Sequence, residues 1–212
     1  MRNPNYLCKQ QQQQKKYHLF LAKNCKYSYV HHTHESLGVQ FIFDNNLITI
    51  RGTEFTTCKG KLDIVRDLLL IPYKSHGLWG HFGFLRGAER VLDILVDKDL
   101  IDKRFPLVIT GHSLGGAVAQ ALAFFLVKNG FKVDTVVTFG SPTVFYRKLP
   151  KELISSIPNI TLYENNSDIV SRLPIGEHVV KKLKINKSNK LFSFSGHKID
   201  NYIKELKENK CE

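Results

Sequence analysis

With 212 residues, 42% of them hydrophobic, the chain is long enough for one substantial core and short for two, and it holds no run of about 18 apolar residues that would cross a membrane as a helix. Its net charge of +12 is carried by the ends: six basic and no acidic residues over 1–30, 16 against 15 over 31–177, and nine against four over 178–212. No nucleic-acid-binding signature accompanies that charge, so the basic ends read either as solvated surface or as contacts to an anionic surface such as a membrane.

Residues 1–30 read as a basic, partly flexible lead-in. Charge and glutamine break every apolar run in it, so a signal peptide is not expected. Gln10 to Gln14 form a low-complexity tract, flexible or helical, without chemistry. Residues 31–212 are expected to form the single domain. Cys8, Cys25, Cys58 and Cys211 include no C-x-x-C pair and follow neither zinc-ligand nor compact disulfide spacing; reduced thiols, a cytoplasmic setting and no metal are the expectation.

The run GVQFIFDNNLITIRGT sets two β-rich stretches around Asp44-Asn45-Asn46, a hairpin signal, and its second stretch ends at Arg51-Gly52-Thr53. Phe84, Leu85, Ala88, Val91, Leu92 and Leu95 then recur at helical spacing. In LVITGHSLGGAVAQALAFFL, Leu107 to Thr110 read as a short buried strand, and Leu114, Ala117, Val118, Ala121, Leu122 and Phe125 as one buried helix face. VDTVVTFGSP and NITLYENNSD are two further strands. HVVKKLKINKSNKLFSFSGH reads as a hairpin turning at 186–189, and residues 197–207 as an amphipathic helix through Ile199, Ile203 and Leu206. Strands alternating with helices, with hairpins at both ends, predict an α/β fold whose mixed sheet is flanked by helices.

The G-x-S-x-G spacing of Gly111, Ser113 and Gly115, between a strand and a helix, is the chemical signal. At such an elbow the serine occupies a strained corner, and the residues two before and two after must be small to avoid neighbouring chain. Ser113 is therefore the candidate nucleophile, and a serine hydroxyl needs a base and an acid behind it. Downstream lie two histidines, His178 and His197; the second, after Ser195-Gly196 at a strand end, is favoured because loops swing catalytic groups over a site. Asp134, Glu152, Glu164, Asp168 and Glu177 compete for the acid. Asp168 is favoured because it follows a strand and precedes the apolar Ile169-Val170, whereas Asp134 begins a strand, on the wrong edge of a parallel sheet. Oxyanion donors are expected from the backbone N–H of Leu114 and from Thr53.

ITIRGTEF, WGHFGFLRGAERVLDIL, VITGHSLGGAVAQALA, VVTFGSPTV, NNSDIVSRLP and GHKIDNY, in that order over residues 39–203, resemble the class 3 lipase family, the fungal triacylglycerol lipases and their relatives. The resemblance implies an α/β-hydrolase fold with a mostly parallel central sheet, with Ser113, Asp168 and His197 as the triad and Thr53 and Leu114 as oxyanion donors. It implies hydrolysis of a lipid or other ester through an acyl-enzyme, without a cofactor; a phospholipase A-type or small-ester activity, or a non-catalytic binding role, are the alternatives. The family's lid follows the Arg-Gly-Thr block, where this chain has EFTTCKGKLDIVRDLLLIPYKSHGLWG; Leu68, Leu69, Leu70, Ile71, Leu78 and Trp79 supply apolar surface there, half of which reads as core.

Overall fold

The computed structural model describes residues 4–36, 38–52, 71–168, 170–172, 176, 178–185 and 194–208. Strands β1 (His34–Ser36), β2 (Val39–Asp44) and β3 (Leu47–Ile50) pair antiparallel in sequence order. The β2–β3 turn bears out the hairpin signal: Asn45 and Asn46 sit at φ 46° and 62°, a left-handed geometry that asparagine tolerates better than most side chains. Strands β4 (Pro72–Ser75) and β5 (Leu78–His81) form a small sheet of their own.

From β3 onward the main sheet is parallel. It adds β6 (Leu107–His112), β7 (Val133–Phe139), β8 (Asn159–Glu164) and β9 (Leu183–Lys184), giving the order β1-β2-β3-β6-β7-β8-β9. Parallel neighbours need crossovers, and helices supply those from β3 to β6 and from β6 to β7. Helices α2 (Phe82–Asp97) and α3 (Leu114–Lys128) cover one face; α1 (Pro4–Tyr27) and α5 (Ile199–Glu208) cover the other, and α4 (Lys151–Ser155) is a short turn before β8.

Strand alternation divides the core accordingly. Leu107 and Ile109 of β6 join Leu85, Val91 and Leu122 on the α2–α3 side, while Val108 packs with Leu21, Tyr202 and Ile203 on the α1–α5 side. All six periodic residues read in α2 are buried. In α3 the expected single buried face is too narrow: every residue from Gly115 to Leu126 is buried, because the helix lies between the sheet and α2 with Phe124 edge-on to Phe145 at a ring-centroid distance of 5.9 Å.

Two expectations need correction. Residues 4–27, read as part of a lead-in, are helical throughout, and the second half of α1 buries Leu21, Ala22 and Cys25 against β7 and α5. At the other end, the first arm of the expected hairpin reduces to β9, which pairs parallel with β8, and residues 178–182 are not strand. The turn and second arm, 186–193, lie outside the described residues. No helix among the described residues is long and apolar enough to cross a membrane.

Candidate active site

The elbow follows from sterics. Ser113 links β6 directly to α3 with φ 59° and ψ −133°, a backbone state that costs a non-glycine residue about 1–3 kcal/mol. A Cβ at Gly111 would lie 2.4 Å from the Gly115 carbonyl oxygen, and one at Gly115 would lie 2.4 Å from the Ile50 oxygen and 2.6 Å from that of Arg51. Either contact is far inside van der Waals distance with backbone, which cannot swing aside. The two glycines therefore let the corner close, and the Ser113 N–H is held by the Phe139 carbonyl at 2.9 Å.

The structure brings three of the predicted residues into one chain of hydrogen bonds. His197 Nε2 lies 2.6 Å from Ser113 Oγ, and His197 Nδ1 lies 2.8 Å from Asp168 Oδ2. All three are buried: Ser113 and Asp168 are 0% exposed and His197 5%. His197 closes a short 3₁₀ turn, Phe194–His197, just before α5, and Asp168 lies four residues past the end of β8. These ends, with those of β3 and β6, crowd one carboxyl edge of the sheet, where open α/β folds place their sites.

Asp168 is a well-provided anion. Burial alone would raise its carboxyl, but hydrogen bonds from His197 and from the Tyr202 hydroxyl, with the Val170 N–H, hold it below the ordinary carboxylate range. The Tyr202 hydroxyl donates to Oδ2 at 2.6 Å and itself accepts the Asn165 N–H at 3.1 Å. That phenol is raised well above 10 by burial and by the neighbouring Asp168, so it remains a donor.

His178 and Asp134 take other partners. His178 Nε2 is 3.1 Å from Thr143 Oγ1, and burial pulls its imidazole down to about 4. Asp134 accepts from the Thr135 hydroxyl at the start of β7, Glu152 is exposed on α4, Glu164 is the last residue of β8, and Glu177 lies outside the described residues.

Leu114 is the first residue of α3, where backbone N–H groups have no partner within the helix and the helix dipole favours negative charge. Thr53 lies outside the described residues. Gly52 before it is buried, and a Cβ there would fall 3.2 Å from Ser113 Cβ, so the chain leaving β3 arrives against the elbow. Of the expected lid surface, Leu78 is core, Ile71 and Trp79 are 50% and 39% exposed, and Leu68, Leu69 and Leu70 are outside the described residues. Among the described residues no group of acidic, His and Cys side chains could hold a metal ion.

Four side chains around the site were missed from the sequence: Tyr202, Asn165, His112 and Tyr29. Tyr202 carried a signal, since it shares the apolar face of Ile199, Ile203 and Leu206, where a buried phenol demands a polar partner. His112 lay inside the motif at one of its two variable positions, and Tyr29 in the segment read as lead-in.

The chain has relatives among known proteins. The family model for lipase (class 3) matches residues 47–178. A secreted mono- and diacylglycerol lipase of Fusarium solani is 36% identical over 101 residues, 44% of this chain and 29% of that protein. A chloroplastic phospholipase A(1) of Arabidopsis thaliana is 36% identical over 76 residues, 34% of this chain and 17% of that protein. The match therefore spans less than a third of either curated relative. The crystal structure of Rhizomucor miehei triacylglyceride lipase superposes with a TM-score of 0.56 at 21% identity, covering 76% of this chain and 75% of that one, so the fold is the α/β-hydrolase fold of the fungal lipases.

Proposed function

Because the chain belongs to the class 3 lipase family, we propose that it hydrolyses carboxylic ester bonds of acylglycerols or related lipids through an acyl-enzyme on Ser113. The observation that carries this reading is the continuous hydrogen-bonded line Ser113–His197–Asp168 at a strained elbow. In it, Ser113 Oγ attacks the ester carbonyl while His197 Nε2 takes the hydroxyl proton. The oxyanion is met by the Leu114 N–H and by Thr53, and Asp168 orients the imidazole and stabilises its charge. As the tetrahedral intermediate collapses, the alcohol leaves with the proton from His197. Water then attacks the acyl-serine, giving its proton to the same nitrogen, and the carboxylic acid departs as Ser113 is reprotonated.

The names of the relatives divide between acylglycerol and phospholipid substrates, and both are glycerol carboxylic esters. Rates on p-nitrophenyl esters from short to long acyl chains, beside diacylglycerol emulsions and phosphatidylcholine vesicles, test the proposal. Hydrolysis lost in Ser113→Ala and in His197→Ala, but kept in His178→Ala, is the expected result. Absence of hydrolysis across the panel, with no labelling of Ser113 by a fluorophosphonate, would return the chain to a binding role.

We also propose peripheral contact with an anionic lipid surface. Its support is α1, along which Lys9, Lys16, Lys23 and Lys26 are exposed beside Tyr6, Tyr17, Phe20 and Tyr27, with no acidic residue anywhere on the helix. Each lysine near such a surface is worth about 1 kcal/mol. Sedimentation with anionic but not zwitterionic vesicles, abolished by high salt and weakened by deleting residues 1–16, is expected; equal binding to both vesicles would refute it. A cytoplasmic setting is proposed on the buried thiol of Cys25, which sits 3.4 Å from Thr110 Oγ1. Since the Fusarium solani relative is named as secreted, cell fractionation decides that point.

A further inference from the structure

The N-terminal region reaches the site through Tyr29. Tyr29, two residues past the end of α1, places its hydroxyl 2.7 Å from His112 Nδ1, and His112 Nε2 lies 2.7 Å from the backbone carbonyl oxygen of His197. A carbonyl oxygen only accepts, so Nε2 must carry the proton. The neutral imidazole then offers Nδ1 as an acceptor, and the Tyr29 hydroxyl donates to it.

We propose that Tyr29 and His112 are positioning residues for His197: the phenol fixes the tautomer of His112, and His112 clamps the peptide that carries the base. This rests on the triad reading given above.

The placement follows from the sheet. Alternation along β6 sends Val108, Thr110 and His112 to the face covered by α1, where Thr110 Oγ1 meets Cys25, while Leu107 and Ile109 face α2 and α3. His112 thus stands on the α1 side of the same elbow that presents Ser113. Its ring stacks on that of His197, with centroids 4.8 Å apart and planes at 30°. Burial, reinforced by His197, keeps the His112 imidazole down at about 3, so it stays neutral.

The neighbouring backbone makes room for this arm. A Cβ at Gly52 would fall 2.4 Å from the Tyr29 hydroxyl and 2.6 Å from the His112 carbonyl oxygen, so glycine at that position lets the phenol pass between the chain leaving β3 and the elbow. The carbonyl before that of His197 is also held from a side chain, since Asn165 Nδ2 donates to the Gly196 oxygen at 3.0 Å. Successive carbonyls, at 196 and 197, are thus both met by buried side-chain donors. The imidazole between them must satisfy Ser113 and Asp168 at once, so its backbone needs such anchoring.

The test uses the full chain carrying Tyr29→Phe, His112→Leu, their combination, and His112→Gln, with two readouts. The first is the downfield proton NMR signal of His197 Nδ1–H in its bond to Asp168, which requires no substrate; the second is kcat and KM on p-nitrophenyl butyrate. Tyr29→Phe and His112→Leu are expected to shift or broaden the signal and lower kcat by ~10- to 100-fold, with KM within about twofold. Acting in series, the two changes together lose no more than His112→Leu alone. His112→Gln, whose amide N–H reaches the same carbonyl, recovers most of both readouts. An unchanged signal and kcat in folded Tyr29→Phe would overturn the proposal, as would additive losses in the combination. Tyr29→Phe removes one oxygen only, so it decides the question even if His112→Leu does not fold. If the unaltered protein hydrolyses no ester and Ser113 fails to label, the esterase reading falls, while the NMR signal still judges the clamp.

Discussion

Asp168→Asn is the sharpest test of the proposed triad, because the surrounding donors dictate which way the new amide faces. Oδ1 of Asp168 accepts the N–H groups of Val170 and Ser171 at 2.8 and 3.4 Å, whereas Oδ2 accepts from His197 Nδ1 at 2.8 Å and from the Tyr202 hydroxyl at 2.6 Å. In the variant the amide oxygen must keep the Oδ1 place, since an NH2 group there would face two backbone donors. The amide nitrogen therefore takes the Oδ2 place and donates toward His197 Nδ1, which can only answer as an acceptor. The imidazole proton moves to Nε2, the atom 2.6 Å from Ser113 that has to receive the serine proton. Holding the base in that tautomer costs ~10⁴ in turnover. At 1.36 kcal/mol per decade this is about 5.5 kcal/mol of lost transition-state stabilisation. The assay is initial-rate hydrolysis of p-nitrophenyl butyrate near pH 7, with circular dichroism to establish folding and KM expected to be nearly unchanged. A folded Asp168→Asn protein with kcat within about tenfold of the unaltered chain would refute the tautomer argument and return the acid role to Glu164 or Glu177.

Tyr202→Phe deletes a buried hydroxyl bonded to a carboxylate and is expected to cost ~1.5–3 kcal/mol at pH 7 by urea denaturation. Because Asp168 titrates below its unfolded value of 3.8, its contribution is present above that pH and lost as pH falls through the lower folded value, so the deficit of Tyr202→Phe should narrow in acid; a deficit independent of pH would detach Tyr202 from Asp168. Ser113→Gly should be more stable than Ser113→Ala by ~1 kcal/mol, since glycine relieves the positive φ that alanine retains, and equal melting temperatures would show an unstrained elbow. Acid should destabilise the fold well above the carboxylate range: His112 takes a proton near pH 6.5 when unfolded but only near 3 when folded, so its share is full above 6.5 and about 2 kcal/mol is gone by pH 5. Denaturation midpoints at pH 7 and 5 for the unaltered chain and for His112→Gln measure that share, which vanishes in the variant.

The sequence revealed the elements whose residues are constrained locally. The elbow was legible because two glycines and a strained serine within five residues answer to backbone collisions that no other residue types avoid. The β2–β3 turn was legible because Asn45 and Asn46 supply the left-handed geometry themselves, and α2 because it buries one stripe only. Where burial is decided by distant neighbours, periodicity failed. Helix α3 is enclosed on all sides by partners that its own pattern does not name, and the second half of α1 looked like a polar tract because Leu21, Ala22 and Cys25 are few among lysines and glutamines. At the C-terminal end HVVKKLKI, expected as the first arm of a hairpin, contributes only β9, whose parallel partner β8 lies outside that stretch.

The site shows the same division between local and distant control. Residues matched to the family model, 47–178, include Ser113, Leu114 and Asp168, yet His197, Tyr202 and Tyr29 lie outside that stretch. These three are brought in by the α1–α5 side of the sheet, where Leu21, Ala22 and Cys25 share one apolar cluster with Ile199, Tyr202, Ile203 and Leu206. The elbow is positioned from the opposite side, by α3 and by the close approach of Gly115 to β3. Ser113 Oγ and His197 Nε2 are therefore set 2.6 Å apart by packing layers on the two faces of the sheet. His112, with its backbone in β6 and its ring against His197, is the side chain that ties the layers together at the point where their relative position matters to a proton transfer. An elbow can be read from five residues, but the register between the proposed nucleophile and its proposed base depends on α1, which is why a segment with no motif of its own bears on the proposed chemistry.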